Sequence, residues 1–451
     1  MHRFFKKHMK VELAGHYGYR RIVKTMIPSM LMILTTSVYS IVDGLFISNT
    51  VGSVAFAAIN MIWPALMLVG SLGIMMGTGG SALVSKTLGQ GDKEKACRIF
   101  SMIVYFTLLV GALMALTFYL LLGPIVELLG ADEAMRPQCI IYASIFLIGM
   151  PAFMSQLLFE PFYMTAEKPA MGTWMTVICG IINIALDALF IVVLHWGLMG
   201  AALATIISMF VAGGYPLWYF SSKKNTTHLR IVSCRFVWRY IAKAASNGMS
   251  EYVGNISLSL ISICYNIQLM HYIGEQGVAA YGIMMYVSYI YAALFIGYNI
   301  GITPIIGYNY GAQNHSELKS LLRKSIIIIS TGGLLLTLIA IGLSDVSTRI
   351  FVGYDPELTE LTAHGFRLYM LCFLICGVNM FVSAWFTALN NGVVSAIAAF
   401  SRTLIFELGA VFLLPLWLGL DGIWLAVNVA DVIALGMSIV LLKMFQKKYG
   451  Y

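Results

Sequence analysis

The sequence predicts an all-α integral membrane protein, with twelve transmembrane helices in two six-helix lobes related by a pseudo-two-fold axis along the membrane normal. Three observations carry that expectation. Of 451 residues, 59% are apolar and 11% charged, and the mean hydropathy is +0.84; a soluble domain carries about a quarter charged residues. The apolar residues gather in runs of about 20–25, the length that crosses a hydrocarbon core as helix, and a helix satisfies its backbone polar groups internally. The two halves also match each other at one displacement of 222 residues.

Helices one to six are read at 22–48, 55–84, 98–122, 138–163, 170–194 and 198–220. Helices seven to twelve are read at 239–270, 277–307, 320–344, 362–389, 394–417 and 421–443. Basic residues punctuate alternate connections. Arg3, Lys6, Lys7, Lys10, Arg20, Arg21 and Lys24 come before or at the start of helix one. Others lie at Lys86–Arg98, Lys168, Lys223–Lys243, Lys319–Lys324 and Lys443–Lys448, so that 24 of 28 Lys and Arg share one face if the helices alternate direction. Arg136 and Arg349 lie opposite, Arg367 just inside one helix and Arg402 within another. This positive-inside asymmetry places both termini in the cytoplasm, and it tests the helix count, since one missed span would scramble it. The net charge of +8 is therefore topological and implies no nucleic-acid partner. The expected setting is the cytoplasmic (inner or plasma) membrane.

The chain divides into a cytoplasmic basic tail (1–21), a first lobe (22–220), a cytoplasmic linker (221–238), a second lobe (239–443) and a cytoplasmic tail (444–451). The first apolar run is too long for a signal-peptide core and lacks a small-residue cleavage site, so it is expected to act as its own insertion signal. The seven cysteines are scattered. Cys372 and Cys376, one turn apart, read as small packing residues because no CxxC or histidine accompanies them.

The duplication is specific. Ala57-Ala58 falls on Ala279-Ala280, Gly79 on Gly301, Gly89 on Gly311, Thr165-Ala166 on Thr387-Ala388, and the Trp196–Gly200 stretch on Leu418–Gly422. Six helices per repeat give both repeats the same orientation, a plan in which parallel repeats flank a substrate site.

Two aspartates interrupt the spans. Asp43 sits in the apolar run Ile22–Ser48, and Asp187 in Ala170–Leu194, four residues after Asn183. A carboxylate inside a span costs roughly 2.5–3.5 kcal/mol on insertion scales, so a chain that keeps two is expected to hold a cation or proton with them, which points to a transporter. The displacement takes Asp43 to Tyr265, Asn183 to Ile405, Asp187 to Gly409 and Thr205 to Val427. Groups that served only the shared fold would be needed in both copies. Helix directions put Asp43, Asp187 and Thr205 in one slab roughly 7–12 Å below the outer face, with Asn183 one turn deeper on the face of Asp187. Asp43, Asn183, Asp187 and Thr205 form an all-oxygen set that suits Na⁺, or a carboxyl pair that shares one proton and titrates as a unit.

These residues carry a resemblance. IPSMLMILTTSVYSIVDGLFIS, GTGGSALVSKTLGQGD and NIALDALFIVVLHWGLMGAALATIIS in the first half resemble the multidrug and toxic compound extrusion (MATE) transporters, above all their bacterial drug-efflux members. NIGITPIIGYNYGAQN and the run from Arg402 through GLDGIWLAVNVAD resemble the same family, and the match covers about 20–445. The resemblance implies two six-helix lobes in a V and export of amphipathic, often cationic compounds driven by inward Na⁺ or H⁺. It also implies a coupling site in the first lobe at an aspartate on helix one, Asn-x-x-x-Asp on helix five and a threonine on helix six, which here are Asp43, Asn183, Asp187 and Thr205. Another branch uses a glutamate on helix seven with an aspartate on helix ten. Here helix seven has Glu251, near the cytoplasmic end, and helix ten has Asn379 and no aspartate.

Tyr39, one turn below Asp43, and its counterpart Tyr265 are candidates to line a central cavity and receive a cationic ring system through their π-faces. Glu251 is a weaker candidate for cationic substrate. Arg402 and Glu407 stand at i, i+5, too wide for an ideal pair on one helix face, and Asp431 is expected to bond within the second lobe. Pro28 is a candidate bend in helix one. The expected protein is a secondary antiporter, working as a monomer on small molecules, with no cofactor beyond the coupling ion. The rivals are a lipid-linked oligosaccharide flippase of the same superfamily, which would favour an arginine-rich cavity, and a non-transporting receptor or scaffold. No nucleophile–base motif, phosphate loop or metal signature points to an enzyme.

Overall fold

A computed structural model describes residues 12–352 and 356–451. The basic residues Arg3, Lys6, Lys7 and Lys10 lie outside the described residues. The described residues form helices and connections without a β-strand.

Eleven helices are long and apolar enough to cross a membrane, and a bent pair supplies a twelfth span. In order they are α1 (Tyr19–Gly44), α2 (Val54–Gly89), α3 (Lys93–Leu120), α4 (Met135–Ile148 with Met150–Thr165), α5 (Pro169–Val193) and α6 (Gly197–Ser221). The second set is α7 (Trp238–Ile273), α8 (Gln276–Gly311), α9 (His315–Gly342), α10 (Pro356–Ala388), α11 (Gly392–Leu418) and α12 (Leu420–Tyr449). All twelve expected spans are present. The two limbs of α4 meet at 61° because Gly149 and Pro151 together break the helical ladder. Several ends run past the expected bounds. α12 continues to Tyr449, carrying Lys447 and Lys448 in its last turn and stopping at Gly450 with φ 72°, where the lysines complement the helix dipole.

The seam between the lobes repeats the two-fold of the sequence. A Cβ on Gly89 would fall on the carbonyl oxygen of Tyr308, and a Cβ on Gly311 would fall on that of Lys86. Those two contacts are images of each other at the 222-residue displacement. Gly79 against the Gly248 backbone and Gly301 against Met26 make a second such pair. Lipid offers helices no hydrophobic incentive to associate, so small residues that let backbones approach supply the packing. These approaches lie in the half of the molecule that carries most of the basic residues, here called the basic side. One cluster of buried apolar side chains crosses both lobes, whereas a second, from Ile47 to Met209, stays within the first.

Two connections are docked on the basic side. The Leu13 backbone N–H donates to Glu167 Oε1 at 2.8 Å, in the α4–α5 connection of the first lobe. The Tyr17 N–H donates to Glu317 Oε1 at 2.8 Å, His16 Nδ1 bonds Glu317 Oε2 at 2.7 Å, and Lys324 Nζ donates to the Tyr17 carbonyl at 2.6 Å, all on α9. The segment before α1 thus straps the two lobes together. The α6–α7 linker lies on the first lobe, where the Val232 N–H donates to Ser101 Oγ at 2.8 Å and His228 Nε2 bonds the Thr165 carbonyl at 3.1 Å. Burial there holds the His228 imidazole below its usual range.

Candidate functional site

Four helices of the first lobe assemble a polar site on the side away from the basic residues. α1 packs on α5, α5 on α6, and α6 on the first limb of α4. Asp43 stands on α1, Asn183 and Asp187 on α5, and Thr205 on α6. Both aspartates sit just before a local loosening of the helix. Asp187 is the last α-helical residue before a π-helical turn at Ala188–Val193, and Asp43 lies four residues before one at Ile47–Val51. Such turns recur at functional sites because they leave backbone groups mispaired and re-aim side chains.

The Asp43 and Asp187 carboxyl groups face each other within hydrogen-bonding reach. Asp187 is fully buried and Asn183 is 2% exposed, while Asp43 and Thr205 are half-buried. Both oxygens of Asp187, Oδ1 of Asp43 and Oδ1 of Asn183 are buried without a donor among the described residues. Among the described residues no lysine or arginine acts on either carboxylate. Two ionised carboxylates about 4 Å apart repel by about 4 kcal/mol at an effective dielectric of 20, so the arrangement requires a proton or small cation between them. The oxygen set fits either. The Thr205 hydroxyl donates to the Ala201 carbonyl at 3.0 Å, which leaves its lone pairs free to accept.

Tyr142 completes the site and was not legible in the sequence. It lies on the first limb of α4, 2% exposed, with its hydroxyl facing Thr205 and its ring near both aspartates. The available signal was its depth, about four residues inside the expected start of helix four, which puts it near the aspartate slab. Its image in the second lobe is His364, which bonds Asp421 at 2.8 Å on the surface. Tyr39 packs its ring against α5, where a Cβ on Gly180 would come within 3.3 Å of it. Its hydroxyl faces Gln156 on α4.

The other candidates lie in the second lobe, apart from this site. Tyr265 on α7 is fully buried and stacks on Tyr281 of α8 at 4.7 Å and 11°, with Tyr369 edge-on at 6.4 Å. Its hydroxyl faces Glu407. Arg402 reaches past Glu407 to α12, where its Nε donates to Asp431 Oδ1 at 2.6 Å and its Nη2 to Oδ2 at 3.4 Å. Asn379 Nδ2 donates to the same carboxylate at 3.1 Å, and Ser438 Oγ to Asn379 Oδ1 at 3.1 Å. Glu251 is half-buried on α7, and among the described residues no charged group acts on it. Cys372 and Cys376 are buried in contact with each other. Among the described residues no group of three or more His, Cys, Asp or Glu could hold a metal ion.

A duplicated bundle of twelve spans with unpaired carboxylates buried in one lobe defines a multi-pass membrane transporter. The profile of the MatE family matches residues 28–189 and 252–412, and the chain belongs to that family, whose members are transporters rather than enzymes. The two matched stretches begin 224 residues apart, close to the displacement of the repeat. The multidrug export protein MepA of Staphylococcus haemolyticus is 23% identical over 429 residues, 94% of each chain. A solved structure described as an outward-facing multidrug resistance MATE family transporter of the MOP superfamily superposes with a TM-score of 0.91 at 22% identity, over 97% of each chain. A crystal structure of MATE in complex with MaL6 gives a TM-score of 0.91 at 21% identity, over 97% of this chain and 98% of the other.

Proposed function

We propose that this protein is a secondary active antiporter that exports amphipathic, cationic compounds in exchange for inward H⁺ or Na⁺ by alternating access. One observation carries the reading: two membrane-embedded carboxylates face each other without a donor or a basic neighbour among the described residues. In the state seen, the lobes meet on the basic side. If that side faces the cytoplasm of a bacterial membrane, with both termini inside, the pair is reached from outside. A proton or Na⁺ arriving there is held by Asp43 and Asp187, with Asn183 Oδ1 and Thr205 Oγ completing the ligand set for Na⁺. Binding neutralises the repulsion between the carboxylates and lets α1 close on α5. Because the ion stabilises one conformation over the other, its gradient biases the cycle. The export of drugs named for the MepA relatives supports a small-molecule substrate, handled by a monomer with no resident cofactor.

The flippase alternative loses its main support, because Arg402 is committed to Asp431 inside the second lobe. The deciding experiment is transport by purified protein in liposomes under independently imposed pH and Na⁺ gradients. Asp43→Asn and Asp187→Asn should each abolish gradient-driven export while the purified protein stays monodisperse. Full export by either variant would refute the site.

A further inference from the structure

The second lobe carries a cavity that ion-coupled export does not use. It has a volume of about 510 Å³ and lies on the side away from the basic residues, between the short helix Ser344–Val352 and the start of α10. Pockets of roughly 300–1,000 Å³ hold small ligand groups. Two charged helix faces line this one. Asp345 and Arg349 stand one turn apart on the short helix, and Glu360, His364 and Arg367 follow at helical spacing on α10. At one end opposite charges meet: Arg367 donates through Nη2 to Asp345 Oδ1 at 2.7 Å and through Nε to Ser344 Oγ at 3.2 Å. His364 is committed to Asp421 of α12. Arg349 and Glu360 line the same cavity, yet among the described residues neither has a hydrogen bond or an ion pair. The repeat supplies a control. Arg349 falls on Glu127, which pairs with Arg136 in the first lobe, while Glu360 falls on Gln138 and Arg367 on Ile145. This open pair of opposite charges is confined to the second copy.

Opposite charges that share a cavity without meeting suit a guest that carries both signs. A guanidinium forks onto phosphate oxygens, and a carboxylate accepts from an ammonium. The surroundings say where such a guest comes from. The short helix begins just past the end of α9, at the level where spans meet lipid headgroups. Its Ser344 and Thr348 are buried against the protein, while Val346 is exposed. Leu335 and Leu338 of α9, and Leu343 just after it, are exposed too, an apolar stripe that leads to the cavity. We propose that this cavity holds the headgroup of a phospholipid bearing a phosphate and a primary ammonium, with Arg349 on the phosphate and Glu360 on the ammonium. The acyl chains lie along the α9 stripe. The Arg367–Asp345 bond fixes the two helices against each other and leaves Arg349 and Glu360 as the groups that take the guest. The site stands on the opposite lobe from Asp43 and Asp187 and owes nothing to the antiporter reading.

The test is native mass spectrometry of the purified full-length protein in detergent, titrated with phosphatidylethanolamine, phosphatidylcholine or phosphatidylglycerol of one acyl composition. Phosphatidylcholine keeps the phosphate but presents a quaternary ammonium without N–H groups, and phosphatidylglycerol lacks the cation. Wild-type protein should hold phosphatidylethanolamine about tenfold more tightly than either. Glu360→Gln should weaken phosphatidylethanolamine about tenfold without weakening phosphatidylglycerol. Arg349→Gln should weaken all three, because each carries the phosphate. Substitutions at such surface positions leave folding nearly unchanged, which an unaltered melting temperature in detergent checks. Equal binding of the three lipids by wild-type protein overturns the proposal. So does a preference that survives both substitutions, which would mark annular lipid alone. O-phosphoethanolamine, the free headgroup, should fail to displace the lipid at equal concentration; displacement would overturn the lipid assignment in favour of a soluble zwitterion.

Discussion

At the scale of single residues, the site is set by what its oxygens lack. Four buried oxygens on Asp43, Asn183 and Asp187 have no donor among the described residues, and leaving a buried polar atom unpaired costs about 1–3 kcal/mol. A structure holds several such atoms together only where a ligand completes them. Tyr142 is the protein's own contribution to that shell through Thr205. Tyr142→Phe removes one hydroxyl and nothing else, so ion-driven export should slow by about two- to tenfold, the effect of a hydrogen bond worth ~0.5–1.5 kcal/mol. Initial transport rates in liposomes check this; an unchanged rate would make Tyr142 packing alone. The depth of the aspartates could be read from helix direction and 1.5 Å per residue. That their carboxyl groups face each other, and that a phenol from α4 joins them, depends on helix rotation, which composition does not encode.

At the scale of helices, two devices hold the lobes on the basic side. The first is the pair of glycines at the crossing of α2 and α8. Gly89→Ala or Gly311→Ala would drive a methyl group into a backbone carbonyl that cannot yield as a side chain end would. Each should lower stability by about 1–3 kcal/mol, seen as a lower melting temperature in detergent, whereas Gly254→Ala, with open space around it, should melt near wild type. The second device is the segment before α1, bound to Glu167 in one lobe and Glu317 in the other. Glu317→Ala removes the acceptor of the Tyr17 amide, so hydrogen exchange at Tyr17 should accelerate by at least about tenfold, given ~1.5–3 kcal/mol for a bond to a charged group. Persistent protection would show that the buried Tyr17 ring alone holds the segment. The basic residues near this end read as topological signals in the sequence; the strap they flank was not visible, because its partners lie 154 and 300 residues away.

For the whole molecule, alternating access requires the basic-side seam to open. A Cβ on Gly307 would lie 3.3 Å from Ser85 Cβ across the lobes, near the ordinary spacing for a disulfide. In a background with the seven native cysteines replaced, Ser85→Cys with Gly307→Cys should stop export on oxidation and recover it on reduction. Export that continues in the oxidised protein would mean the seam does not open.

The sequence by itself determined twelve spans, their alternation, the internal repeat and the confinement of Asp43, Asn183, Asp187 and Thr205 to one copy. All of these follow from length, hydropathy and charge along the chain, which act locally and survive any rearrangement of the helices. Only the tertiary structure decided which faces meet: the opposed carboxyl groups, Tyr142 beside them, and Arg402 committed to Asp431. In a bilayer most side chains on every helix are apolar, so periodicity barely distinguishes a lipid-facing stripe from a buried one, and helix rotation is fixed by close packing with neighbours distant in sequence.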